Sequence, residues 1–124
     1  MITLKNITKN YSKDTVLDIT SLEIPTGQTF GLVGNNGAGK TTMFSCLLDL
    51  IKPSTGQVIN NKVEIAKSEK WKSFTSAFLD DTFLIGYLMP EEYFYFVGEL
   101  RGLSKKQVDN FLIQFEVFIP GKFL

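Results

Sequence analysis

The sequence predicts an α/β fold, and three observations carry that prediction. Ile2-Thr3-Leu4-Lys5-Asn6-Ile7 alternates apolar and polar residues with the two-residue period of a strand that buries one face. Thr29-Phe30-Gly31-Leu32-Val33 is a nearly continuous apolar run of the kind buried on both faces of a parallel sheet. From Lys40 to Ile51 the period lengthens to that of a helix, with Met43, Phe44, Leu47, Leu48 and Ile51 three or four apart.

The remaining elements follow in order. Asn10 to Asp14 is turn-like, and Val16, Leu17, Ile19, Leu22 and Ile24 form a second strand closed by Pro25-Thr26-Gly27. Pro53 and Gly56 stop the helix that begins at Lys40. Gln57 to Ile65 reads as two short strands about a turn at Asn60-Asn61, Lys67 to Lys72 as a charged connection around Trp71, and Phe74 to Leu79 as a further strand. Pro90, Glu91 and Glu92 have the character of a helix first turn, where proline loses no hydrogen bond and acids complement the dipole. That helix runs to about Arg101 and stops at Gly102. Ser104 and Gln107 have the spacing of a capping box, opening a last helix whose Val108, Phe111, Leu112, Phe115 and Ile119 share a face before Pro120-Gly121.

Composition narrows the chemistry. The 124 residues contain no linker or internal repeat and read as one continuous unit. Thirteen basic residues balance thirteen acidic ones, which argues against a nucleic-acid binder, since that needs excess positive charge. The chain has no histidine and one cysteine, Cys46, so Ser-His-Asp and Cys-His schemes, a zinc constellation and an internal disulfide are all excluded. Cys46 reads as a small packing residue. A hydrophobic content of 44% with eleven Phe demands a packed core. No stretch reaches the roughly eighteen apolar residues of a membrane span, and no signal-peptide pattern opens the chain, so a cytoplasmic location is expected.

Gly34-Asn35-Asn36-Gly37-Ala38-Gly39-Lys40-Thr41 fits the phosphate-loop pattern G-x-x-x-x-G-K-[ST], between an expected strand and an expected helix. Gly34, Gly37 and Gly39 free the backbone so that successive N–H groups form an anion nest at a helix N-terminus. Lys40 supplies a point charge for β and γ phosphates, the Thr41 hydroxyl a magnesium ligand, and Thr42 a hydrogen bond to a nearer phosphate. The rival account is a glycine-rich turn beside an accidental lysine.

The surroundings of that loop carry a resemblance. Two strands with Tyr11, the loop Gly34 to Thr42, then Lys52-Pro53-Ser54-Thr55-Gly56-Gln57-Val58 resemble the N-terminal half of an ABC transporter ATP-binding domain. Leu88-Met89-Pro90-Glu91-Glu92-Tyr93-Phe94, followed by Gly98 to Ser104, resembles subunits that partner ABC-2 type exporters. The resemblance implies a P-loop NTPase fold with N-terminal β-strands and a partial RecA-like core. It makes residues 1–124 a partial domain: β-subdomain, phosphate loop and helix, a glutamine-loop-like region and the start of a helical subdomain. It further implies ATP and Mg²⁺ as ligands, a transmembrane permease partner, a second ATP-binding domain as dimer partner, and a peripheral position on the inner face of the cell membrane.

Residue by residue, the resemblance places Tyr11 where an aromatic stacks on adenine; the competing use is a tyrosine packed beside a turn. Where the family has a γ-phosphate-sensing glutamine, this chain reads Ala77-Phe78-Leu79-Asp80-Asp81-Thr82. Asp80 or Asp81 there is a magnesium-directed carboxylate, a Walker-B-like aspartate ending an apolar strand, or a solvated acidic turn. Among Phe83, Tyr87, Tyr93, Phe94, Tyr95 and Phe96, helical spacing groups Tyr93 and Phe96 with Val97 and Leu100 as core, and the resemblance offers the others as a permease-docking groove.

The family's Leu-Ser-Gly-Gly-Gln-like signature, long Walker-B strand ending in Asp-Glu and switch histidine do not occur in these residues. The expectation is a chain truncated before them, with no catalytic residue of its own, binding nucleotide without turnover. A sheet lacking those strands leaves unpaired backbone and apolar surface, so marginal stability and self-association are expected. The alternatives are a non-transport P-loop NTPase or regulatory nucleotide-binding module, and a non-binding remnant.

Overall fold

In the structure, a computed structural model, the described residues are 1–80, 82 and 84–118; Asp81, Phe83, Ile119 and Pro120-Gly121 lie outside them. The chain divides into two compact units, Met1–Leu79 and Asp80–Leu124.

In the first unit, β1 (Ile2–Tyr11) and β2 (Asp14–Ile24) form an antiparallel hairpin running from Ile2↔Ile24 to Tyr11↔Asp14. The two-residue loop Ser12-Lys13 closes it, with Ser12 at φ 53. β3 (Thr55–Asn60) pairs on the other side of β1, and β4 (Val63–Glu64) pairs with β3, giving the order β2-β1-β3-β4. The β3–β4 turn is Asn61-Lys62, with φ of 47 and 68, the doubly positive pattern whose twist suits a two-residue hairpin. The turn expected at Asn60-Asn61 is thus one residue late, because Asn60 is a buried end of β3 whose Nδ2 donates to Thr75 Oγ1 at 2.8 Å.

Strict alternation in β1 breaks at Asn6, which has φ 50; the pairing with β3 shifts register there, so Leu4 and Ile7, three apart, are both fully buried. They pack with Leu17 and Val58 against Met43, Cys46 and Leu47 of α1 (Lys40–Leu47), and with Ile65 and Trp71. Burying one such aliphatic side chain contributes about 1.5–3 kcal/mol. Trp71 sits in a 3-10 helix, Glu69–Phe74, so the charged connection of the sequence reading is instead a lid on this core. Its Nε1 is buried and has no hydrogen-bond partner among the described residues.

Two expected strands do not form. Thr29–Val33 runs in irregular backbone and makes no backbone–backbone hydrogen bond among the described residues, and Val33 is 95% exposed. Phe74 closes the 3-10 helix, and residues 75–80 follow as irregular backbone. The physical reason is common to both: a strand exists only through a ladder with a neighbour, and neither segment joins the β2-β1-β3-β4 sheet.

In the second unit, α2 (Pro90–Leu100) begins where Glu92 Oε2 accepts from the Met89 N–H at 2.9 Å. α3 (Lys105–Leu112) opens with the expected capping box: Gln107 N–H donates to Ser104 Oγ at 3.4 Å, and Ser104 N–H to Gln107 Oε1 at 2.9 Å. A 3-10 helix, Ile113–Phe118, follows. The shared apolar faces expected on these helices are only partly buried. Val108 packs on the buried Gly98, where an added Cβ would overlap Val108 Cγ2. Leu112 is buried, whereas Phe96, Leu100, Phe111 and Phe115 are exposed, because this close two-helix contact covers only a narrow stripe of each helix.

Candidate functional site

The glycine-rich loop turns at Asn36-Gly37, with Gly37 at φ 84 and Gly39 at φ 80, a region other residues enter at a cost of about 1–2 kcal/mol. Gly34 has no left-handed backbone; an added Cβ there would stand 3.4 Å from Ala38 Cβ. The Ala38 N–H donates to Asn35 O at 3.2 Å, tightening the loop. Gly39 is the N-cap of α1, with no side-chain cap and no acid in the first turn. The first N–H groups of α1 are therefore left to an outside acceptor, at the positive end of the helix dipole. Lys40 Nζ donates to Gly34 O at 2.6 Å and Asn35 O at 2.7 Å, which holds its ammonium over the start of the loop. Asn35, Asn36 and Thr41 are exposed and Thr42 is half-buried. An uncapped helix end, two left-handed glycines and a tethered ammonium are the features that suit a multiply charged phosphate.

The β1–β2 hairpin is fastened to this loop by a feature the sequence reading missed. Lys9 pairs with Leu17 and Asn10 with Thr15, so Val16 is a bulge residue in β2. An added Cβ on Gly39 would overlap the carbonyl oxygen of Val16 and stand 3.7 Å from Leu17 Cδ1. Only glycine lets the phosphate loop sit this close to the bulge. Tyr11, at the hairpin end, is 50% exposed. Its other local partner is Lys9, whose Nζ lies 5.1 Å from the ring centroid and donates to Lys52 O at 2.8 Å. The phosphate loop and the expected base platform thus belong to one unit, with Gly39 set close against β2.

Beside α1 an open cavity of about 650 Å³ is lined by Phe30, Leu32, Lys40, Thr41, Phe44 and Phe78 among others. Asp80 opens the second unit, and its Oδ1 accepts from the Thr82 N–H at 2.8 Å and from the Thr82 hydroxyl. Those two bonds hold the Asp80 carboxyl below its ordinary value. Among the described residues no group of three His, Cys, Asp or Glu could hold a metal. Cys46 is buried in α1, which pushes its thiol up, with the charge of Lys9 pulling weakly the other way. Among the described residues no helix is long and apolar enough to cross a membrane.

Known proteins resemble this chain. The family model described as ABC transporter matches residues 17–117. ABC transporter A family member 6 of Dictyostelium discoideum is 39% identical over 103 residues, covering 82% of this chain and 6% of that protein. The uncharacterized ABC transporter ATP-binding protein YhcH of Bacillus subtilis is 33% identical over 115 residues, covering 89% of this chain and 37% of that one. A solved ATP binding subunit of an ABC transporter superposes with a TM-score of 0.72 at 26% identity, over 84% of this chain and 44% of that chain. The chain thus spans less than half the length of each. With the match running from Leu17 in β2 through the phosphate loop and into the helices after it, the chain belongs to the ABC transporter family, and its fold is that of the family's ATP-binding cassette.

Proposed function

We propose that this chain binds ATP with magnesium through Gly34 to Thr42, as part of an ATP-binding subunit that couples nucleotide to a membrane permease. The observation that carries the reading is the uncapped start of α1 with Lys40 tethered to the Gly34 and Asn35 carbonyls, a nest open to phosphate oxygens. Gly34, Asn35, Asn36, Gly37, Ala38 and Gly39 shape the nest, Lys40 faces the β and γ phosphates, Thr41 ligates the metal and Thr42 reaches a nearer phosphate. Magnesium would neutralise part of the triphosphate charge. Tyr11 is the platform for adenine, in keeping with its half-exposed ring on a hairpin whose Val16 bulge lies close against Gly39.

Asp80 enters this reading differently. With Oδ1 engaged by Thr82, it serves a local turn, and any magnesium role would rest on its other oxygen. The activity proposed for these residues is nucleotide binding. A permease and a second ATP-binding domain are the proposed partners, and they would place the chain peripherally on the inner membrane face. Tyr11→Ala tests the site: ATP affinity should fall several-fold with pyrophosphate affinity unchanged, and equal losses would remove adenine stacking from the account.

A further inference from the structure

Around Tyr11 the hairpin is clamped from one side. Residues 52–54, which follow α1, meet β1 through three bonds: Lys9 Nζ to Lys52 O at 2.8 Å, Ser54 N–H to Thr8 O at 2.7 Å, and Asn10 N–H to Ser54 Oγ at 3.0 Å. All three fall on the residues immediately before Tyr11. Lys9 and Tyr11 are two apart in β1, and so point to the same side of the strand. The Lys9 ammonium stands 5.1 Å from the Tyr11 ring centroid, within the roughly 6 Å reach of a cation–π contact. Tyr11 nonetheless keeps half its surface open. A tyrosine serving only to pack a turn would be covered on both faces; this one has a charged side chain behind it and open space elsewhere.

We propose that Lys9 is a positioning residue for the base end of the nucleotide: pinned by the Lys52 carbonyl, its ammonium holds one face of the Tyr11 ring and leaves the opposite face for adenine. This rests on the assignment of Tyr11 as the base platform. A ring already held loses less rotamer freedom when a base stacks on it, and that pre-organisation is where the affinity comes from. The cation also favours an electron-rich ring face in its present orientation. Lys9 is not a second phosphate lysine in this account, because its ammonium is committed to a carbonyl at the C-terminal side of α1, whereas Lys40 is tethered at the N-terminal side.

The test measures ATP and pyrophosphate affinity by titration calorimetry on the full chain and its Lys9→Met, Lys9→Gln, Lys9→Arg, Tyr11→Ala and Lys9→Met/Tyr11→Ala variants. Trp71 fluorescence and circular dichroism check that each variant is folded. Lys9→Met weakens ATP about two- to five-fold and leaves pyrophosphate unchanged, as expected for a partly exposed cation–π contact. Lys9→Gln, which keeps a donor for the Lys52 carbonyl without the charge, shows the same selective loss should the Met variant fail to fold. Lys9→Arg stays close to the parent, and Lys9→Met adds nothing in the Tyr11→Ala background. Equal loss of both ligands would make Lys9 a phosphate charge and overturn the proposal, as would unchanged ATP affinity or a full Lys9→Met effect without Tyr11. If Tyr11→Ala alone loses both ligands equally, the platform assignment itself falls and takes the proposal with it; a selective Tyr11→Ala beside a silent Lys9→Met sinks only the proposal.

Discussion

Replacing Gly39 with Ala probes the junction between the phosphate loop and the β1–β2 hairpin. The residue stands at φ 80, where an L-residue other than glycine loses about 1–2 kcal/mol. Its new Cβ would overlap the Val16 carbonyl oxygen, with the Val16 carbonyl carbon at 3.5 Å and Leu17 Cδ1 at 3.7 Å. The obstacle is backbone, which cannot rotate aside as a side chain can, so overpacking adds about 1–3 kcal/mol. Gly37→Ala supplies the control, because Gly37 has nearly the same φ of 84 and nothing within 4 Å of an added Cβ. The predicted loss is therefore about 2–5 kcal/mol for Gly39→Ala and about 1–2 kcal/mol for Gly37→Ala. Urea unfolding followed by the fluorescence of Trp71, the chain's one tryptophan, reads the difference at a fixed protein concentration. With a slope of about 1–2 kcal/mol per molar urea, the Gly39→Ala midpoint should lie below the Gly37→Ala midpoint by the order of 1 M. Coincident midpoints would show that the loop does not rest on the Val16 bulge, and would separate the hairpin from the phosphate site.

Two further outcomes follow from the same structure. The Asp80 carboxyl is held low by Thr82, so its contribution to the turn is fully present above the ordinary carboxylate range and is lost as pH falls through the lowered midpoint. Thr82→Val should raise that midpoint in an NMR titration, and Asp80→Asn should leave magnesium-dependent ATP affinity unchanged; a weakened affinity would restore Asp80 to the metal site. The unpaired Thr29–Val33 segment and the open cavity beside α1 predict concentration-dependent self-association in sedimentation velocity. A monomer that unfolds cooperatively at every concentration would contradict it.

What was legible in the sequence is what depends on neighbours close along the chain. The start of α1 at Lys40, the Ser104–Gln107 capping box and the β1–β2 hairpin are each set by residues within a few positions, and each appears where the spacing puts it. Thr29–Val33 has the apolar content of a buried strand, yet strand formation needs a ladder with a partner across space, and this segment is not part of the described sheet. The same limit hid the site's mechanical supports. The Val16 bulge is a register event between two strands, and the hold of Lys52 on Lys9 is a bond between residues 43 apart; neither leaves a mark in composition or period. The helical faces were overread for a related reason. Phe111 and Phe115 repeat at helical spacing, but Gly98 lets α2 approach Val108 so closely that the contact ends before it reaches them.

The central claim is that the nest at the start of α1 binds a nucleotide triphosphate through Lys40. Titration calorimetry of Mg-ATP into the chain and its Lys40→Ala variant tests it most directly. Removing a charge-assisted partner of the phosphates, a contact of about 1.5–3 kcal/mol, should weaken binding by roughly ten- to a hundred-fold. Equal affinities for the two chains, or no binding by the parent, would contradict the account.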